Sequence, residues 1–315
     1  MFLNLNKVQD VFSLQGSLKN TNYFEGWYYK HVHEDSQKSI SFIFGFSTHQ
    51  KNPHSFIQVI ETDPLKTHYF SFPLESFQKE GAGYRIEEAF FSKEKLILNL
   101  ENESFKCNVN LDYHQPIALK ASLYAPSIMG PFAYLHGMEC NHGIVSMKHQ
   151  ITGHMVINGF DRYFKEDNGY IEKDWGQSFP KRYIWLQGNH FKDPEDYFML
   201  SVAEIPFGII DFEGIIGEFK LAGKSYRVAT YYGAKRNSLQ SQDSKLNLNI
   251  QQGRYRFEIH AEVKEKGSLV SPFMGEMKAI IKEGLGGTVC VKVYERTKLI
   301  FESCSKNCGI EVEGY

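Results

Sequence analysis

The chain predicts an all-β protein of many antiparallel strands arranged as barrels or sandwiches, and three observations carry that expectation. Apolar residues recur with period two, as in Phe42, Phe44 and Phe46, or Phe105, Cys107, Val109 and Leu111. No helical stripe of a dozen or more residues competes with them. Aromatic residues make up 15% of the chain, with 25 Phe and 18 Tyr, which suits pleated, half-buried strands and the walls of apolar cavities.

In chain order, an aromatic strand begins at Tyr23 and is followed, after the polar turn Glu34-Asp35-Ser36, by the apolar strand that carries Phe42 to Gly45. Alternation then predicts strands at 55–62, 67–73, 83–91 and 96–100, punctuated by Lys51-Asn52-Pro53 and Gly81-Ala82-Gly83. Another follows at 151–158. The second half adds 183–191, 197–204, 209–219, 226–232, 254–262, 274–281, 288–294 and 299–303. Its turns are Asp193-Pro194-Glu195, Ala222-Gly223-Lys224 and Gln252-Gly253.

At 315 residues the chain has room for two domains with a sizeable core in each. An internal echo supports duplication: residues 23–45 and 183–205 both run from an aromatic strand, with Trp27 or Trp185, through a turn to an apolar strand. We expect domains at 1–168 and 169–315, linked through 125–176, a stretch rich in Gly, Pro, His and charge.

Composition narrows the function. The formal charge is −2 with no long basic block, so nothing draws in a nucleic-acid backbone. The segment 1–16 has only Lys7 as a base and no apolar run, and no segment approaches the roughly 20 apolar residues of a membrane span, so a cytoplasmic protein is expected. No amphipathic basic segment supports more than a transient membrane contact. Five cysteines at irregular spacing read as reduced thiols; Cys304 and Cys308, four apart, lack the second ligand pair of a zinc site. Phosphate loops, Rossmann glycines and nucleophile elbows are missing from the sequence.

Four stretches depart from plain strand patterning. In 23–30, Glu25 shares a strand face with Tyr23, Trp27 and Tyr29; such an acid is either salt-bridged, Lys30 being one available cation, or functional. In 137–143, Glu139 and His142 suit an acid/base pair, or an incomplete metal site. In 169–176, alternation sets Tyr170, Glu172 and Asp174 on one face, with Ile171, Lys173 and Trp175 on the other. If the first face lines an apolar cavity, repulsion and desolvation raise a carboxyl pKa and make a proton donor available; otherwise it is an ordinary charged strand edge. In 178–187, Tyr183, Trp185 and Gln187 share a face whose rings either stabilise a cation, by about 0.5 to 2 kcal/mol each, or simply pack.

Together these stretches resemble the tocopherol cyclase family. The resemblance rests on Tyr23-Phe24-Glu25-Gly26-Trp27-Tyr28, on Gly130-Pro131-Phe132 with Met138-Glu139-Cys140-Asn141-His142-Gly143, on Gly169 to Gly176, and on Ser178-Phe179-Pro180 with Trp185 and Gln187. Asn141, where the family usually has an aromatic residue, and Leu135-His136, in place of a more Pro-rich approach to Gly137, depart from it. The resemblance implies two lipocalin-like β-barrel domains, shared with carotenoid 1,2-hydratases and AttH-like proteins. It also implies a reaction without a cofactor: an acid protonates the prenyl alkene of a quinol, and the phenolic oxygen captures the tertiary cation to close a chromanol ring. A hydratase lets water take a similar cation.

On that implication Glu172 is the expected proton donor, Asp174 raises its pKa, and Tyr170 and His142 orient the acid or accept the phenolic proton. Glu25 is a second acid candidate. Trp27, Tyr29, Glu139, Trp175, Tyr183, Trp185 and Gln187 are expected to contact an apolar isoprenoid or prenylated quinol, and no metal is called for. The competing expectation is a lipid-binding barrel without catalysis, and a third is a hydratase or isomerase of another polyene.

Overall fold

The computed structural model describes residues 5–34, 37–62, 65–135, 137–207 and 210–315; the expected turn at Asp35-Ser36, His136 and the strand start at Ile209 lie outside them. After a short helix, α1 (Leu5–Gln9), nearly every regular element is a strand. The first eleven are β1 (Phe24–His33), β2 (Lys38–Ser47), β3 (His54–Thr62), β4 (Leu65–Pro73), β5 (Phe77–Glu80), β6 (Gly83–Ile86), β7 (Ala89–Phe91), β8 (Lys95–Glu101), β9 (Lys106–His114), β10 (Cys140–Ile157) and β11 (Phe160–Gly176). They form one sheet in the order β4-β3-β2-β1-β11-β10-β9-β8-β7-β6-β5, a nearly closed barrel.

The remaining strands are β12 (Tyr183–Gly188), β13 (Tyr197–Phe207), β14 (Ile210–Leu221), β15 (Lys224–Ala229), β16 (Lys235–Gln242), β17 (Lys245–Gln252), β18 (Tyr255–Glu262), β19 (Gly267–Phe273), β20 (Glu276–Glu295) and β21 (Lys298–Glu313). Their order is β15-β14-β13-β12-β21-β20-β18-β17-β16, with β19 on β20. In both sheets a four-strand meander leads out from a first strand that pairs with the last one. The all-β, two-barrel architecture expected from sequence is therefore the observed one.

Two compact units result: Met1–Ser127, Phe132–Phe179 and Val270–Ala279 in one, and Ile128–Pro131, Pro180–Leu269 and Ile280–Tyr315 in the other. Most of the stretch read as a link, 125–176, is the β10–β11 hairpin of the first sheet. The expected strand at 83–91 splits at Glu87, which takes a φ of 51°. The expected strand 288–294 and all but the first two residues of 274–281 fall within one long strand, β20. Unexpected β16 is almost wholly exposed and polar, whereas β17 carries a readable alternation of Leu246, Leu248 and Ile250.

Inward-facing rings fill the first unit. Trp27 lies 5.0 Å from Tyr84, Phe44 4.6 Å from Phe91, and Phe46 4.8 Å from Phe77, ring centre to ring centre. The segment before β1 completes this core, with Val11 and Phe12 buried in it. Leu14 N donates to Tyr84 Oη (2.9 Å), and Trp27 Nε1 donates to the Phe12 carbonyl (2.9 Å). Ile184, Leu186, Val202 and Ile310 are among the residues that form a separate core in the second unit.

One chemical expectation is corrected. Cys290 and Cys304 are not reduced thiols but a disulfide, because the antiparallel pairing of β20 with β21 sets them directly opposite one another at a Cα–Cα distance of 3.9 Å. A sequence separation of 14 hid that pairing. Cys107, Cys140 and Cys308 keep their thiols. Among the described residues no helix is long and apolar enough to cross a membrane, a statement that does not extend to strands.

Candidate active site

The pairing of β1 with β11 runs without interruption from Phe24 opposite Gly176 to His31 opposite Gly169. The phase of β11 is thus fixed over its whole functional stretch, and side chains alternate strictly. Ile171 and Trp175 join the aromatic core, and Lys173 goes with them. Tyr170, Glu172 and Asp174 take the opposite face.

On that face, cross-strand neighbours form short rows. Tyr28 of β1, Glu172 of β11 and Ile144 of β10 are one row; Gly26, Asp174 and His142 are the next. The β10 irregularities begin only beyond Ile144, so His142 and Ile144 keep the phase of their partners. His142 Nδ1 donates to Asp174 Oδ1 at 2.7 Å. Its Nε2 lies 3.4 Å from Glu172 Oε2, close enough for charge attraction but not aligned as a hydrogen bond. Tyr170 Oη donates to the same Glu172 oxygen. Tyr28 Oη accepts from Ser41 Oγ at 2.9 Å.

Electrostatics follow from this arrangement. Burial alone would lower the His142 pKa, but the carboxylates of Asp174 and Glu172 outweigh it and push the imidazole up to about 9. At neutral pH it is an imidazolium held between two acids. Burial, and next the neighbouring Glu172, holds the Tyr170 phenol well above its ordinary value, so it stays a hydrogen-bond donor. Counting these side chains alone, one proton on His142 leaves the trio with one negative charge, and a second proton neutralises it. Glu172, 5% exposed, is the more buried of the two acids.

The ligand atoms of His142, Glu172 and Asp174 lie within 4.8 Å of one another, near enough to hold a metal ion. With Nδ1 given to Asp174, the imidazole offers only Nε2 to an ion, on the side of Glu172. Glu139, the other candidate partner of His142, is half-buried; its backbone carbonyl accepts from Gln177 N (2.8 Å) and Ser178 N (3.2 Å).

Several expected site residues lie elsewhere. Glu25 is salt-bridged: its carboxylate accepts from Lys173 Nζ, Gln15 N (2.9 Å), Gly16 N and Tyr23 Oη (2.7 Å). Both partners are fully buried, and Lys173 Nζ also donates to the Ser13 carbonyl (2.7 Å) while lying 4.3 Å from the Trp27 ring and 5.3 Å from that of Trp175. Trp27, Tyr29 and Trp175 belong to this closed inner face, with Tyr29 Oη donating to the Ser92 carbonyl (2.9 Å), and so do not join the acids. The physical reason is that β1 presents Glu25, Trp27 and Tyr29 inward and Gly26, Tyr28 and Lys30 outward. Tyr28 is the residue that sequence reasoning passed over; the same alternation that grouped Tyr170 with Glu172 would have found it, once the β1–β11 register was known.

Tyr183, Trp185 and Gln187 are in the second unit, on the face of β12 opposite its core, where Tyr183 Oη donates to Glu311 (2.7 Å). Trp185 therefore points away from its own core, unlike Trp27, so the two halves of the sequence echo differ in phase.

The tocopherol cyclase-like family matches residues 66–314. No curated relative matches the chain. Similar solved structures include an AttH protein from Nitrosomonas europaea, at 12% identity over 92% of each chain with a TM-score of 0.55. Kievitone hydratase from Nectria haematococca is similar at 10% identity over 91% of this chain and 88% of the other, TM-score 0.52. CghA bound to Sch210972 is similar at 9% identity over 92% and 88%, TM-score 0.56. At such identities the likeness shows the fold alone.

Proposed function

Since the chain belongs to the tocopherol cyclase-like family, we propose that it is an enzyme that protonates the alkene of a prenylated quinol, or a related isoprenoid, and closes a ring onto the phenolic oxygen. The observation that carries this reading is the linked set of buried Tyr170 and Glu172 with half-buried His142 and Asp174 on the face opposite the core.

Glu172, when protonated, is the general acid. Alkene protonation needs a strong, poorly solvated acid, and a neutral carboxyl is far stronger than the imidazolium of His142, whose pKa stands near 9. The proton moves from Glu172 to the less substituted alkene carbon, leaving a tertiary cation and a carboxylate. The phenolic oxygen then attacks the cation, forming the C–O bond, and its proton returns to the carboxylates, so the cycle consumes none. His142 holds Asp174 in place through its Nδ1, while Tyr170 holds Glu172 in orientation. Tyr28, buried beside Glu172, offers an electron-rich ring to the cation.

A container role for the first barrel is the weaker reading, because its interior carries rings in mutual contact and is sealed by residues 11–14. The apolar ligand and the cytoplasmic setting remain parts of the proposal. Incubating the protein with a prenylated hydroquinone in H2-18O tests it: a chromanol without label supports cyclisation, a labelled tertiary alcohol means hydration, and recovery of unchanged substrate refutes the reading.

A further inference from the structure

Gly26 is buried, yet a Cβ added there would make only ordinary contacts. A Cβ built on it meets only Ile43 Cγ2 at 3.8 Å and the Phe44 carbonyl at 4.0 Å among the described residues, both ordinary contacts. The strand glycines around it differ: a Cβ would come within 2.5 Å of a backbone oxygen at Gly45, 2.8 Å of Val11 at Gly143, and 2.2 Å of the His149 ring at Gly169. Nor does conformation require glycine, since Gly26 is absent from the positive-φ positions. A glycine inside a strand weakens it, and it is otherwise found where the backbone must be approached closely.

Its position gives that opening a meaning. Gly26 stands directly opposite Asp174 on one side and Gly45 on the other, making a stretch of sheet without side chains next to the acid row. Phe24 and Tyr28 flank it along β1 on the same face. The Phe56 ring lies over Gly45 and bounds the far side. Asp174 gives one oxygen to His142, and its other oxygen suits a hydroxyl hydrogen.

We propose that Gly26 is the floor of a subsite for a planar phenolic ring, which lies against the bare sheet with its hydroxyl on Asp174. This rests on the cyclisation reading above and adds to it which part of the substrate goes where. The ring takes the Gly26 row, and the alkene takes the next row, beside Glu172 and Tyr28. Because the two rows are adjacent, oxygen and cation are brought together for closure.

The test uses Gly26→Ala and Gly26→Val, with thermal unfolding as a fold check and two probes: 2,3-dimethylhydroquinone, the ring without a tail, and a short prenylated hydroquinone. The wild type is expected to bind the ring probe by calorimetry; Ala weakens binding about tenfold and Val abolishes it, with no loss of thermal stability. Unchanged ring affinity or KM in a folded Ala or Val variant overturns the subsite, as does a wild type that does not bind the ring. Wild type that binds the ring and loses it in the variants, but turns over no prenylated quinol, overturns cyclisation and leaves the subsite standing.

Discussion

His142 and Asp174 are 32 residues apart in sequence and directly opposite in space, joined by a 2.7 Å bond from imidazole Nδ1 to carboxylate Oδ1. The same imidazole reaches Glu172 through its other nitrogen. One ring therefore connects Glu172 and Asp174, although on β11 they are two residues apart and would otherwise only repel one another.

Replacing Glu172 by Gln removes the proposed proton donor while keeping its shape and its bond from Tyr170. Turnover of a prenylated quinol is expected to fall by 10²-fold or more, about the range for a general acid, with binding intact. Steady-state kinetics beside equilibrium binding reads this; wild-type turnover in the variant would exclude Glu172 as the acid.

The histidines give stability opposite pH dependences. His142 has a folded pKa raised to about 9, so its contribution is complete below its unfolded value of about 6.5 and is lost as pH rises towards 9. Burial holds His31 and His149 down at about 3, so the unfolded chain binds more protons below about 6.5 and stability falls as pH drops towards 3. Urea unfolding against pH should show a maximum between these limbs. His142→Gln should flatten the alkaline limb and leave the acid limb unchanged.

The Lys173–Glu25 pair is expected to matter for stability rather than for chemistry. Lys173→Met strands a fully buried carboxylate, at a cost of about 3 to 5 kcal/mol, and adding Glu25→Gln should recover much of it. Denaturant titration of the two single variants and the double variant measures the coupling. Additive effects would show that the two charges do not support each other.

The disulfide predicts a thiol count. Denatured protein that has never met a reductant should react through three thiols, Cys107, Cys140 and Cys308, and through five after reduction. A count of five at the outset, as the reduced reading of the sequence expects, would mean that the Cys290–Cys304 bond does not form where the protein is made.

The sequence by itself determined the class of fold and the grouping of Tyr170, Glu172 and Asp174, because both depend only on the period-two alternation of a strand, which is local. Tertiary structure decided which face of that strand is the core. Both faces of β11 carry large apolar or aromatic groups beside charges, Ile171 and Trp175 with Lys173, Tyr170 with the acids, so the pattern alone gives no direction. The choice was made by partners far away in the chain. Lys173 turned inward because Glu25, 148 residues earlier, and the Ser13 carbonyl could satisfy it there, and Trp27 and Trp175 closed around it. Glu172 and Asp174 turned outward to His142. Register between distant strands, which no local spacing encodes, converted an ambiguous set of acids and rings into one structural ion pair and one candidate site.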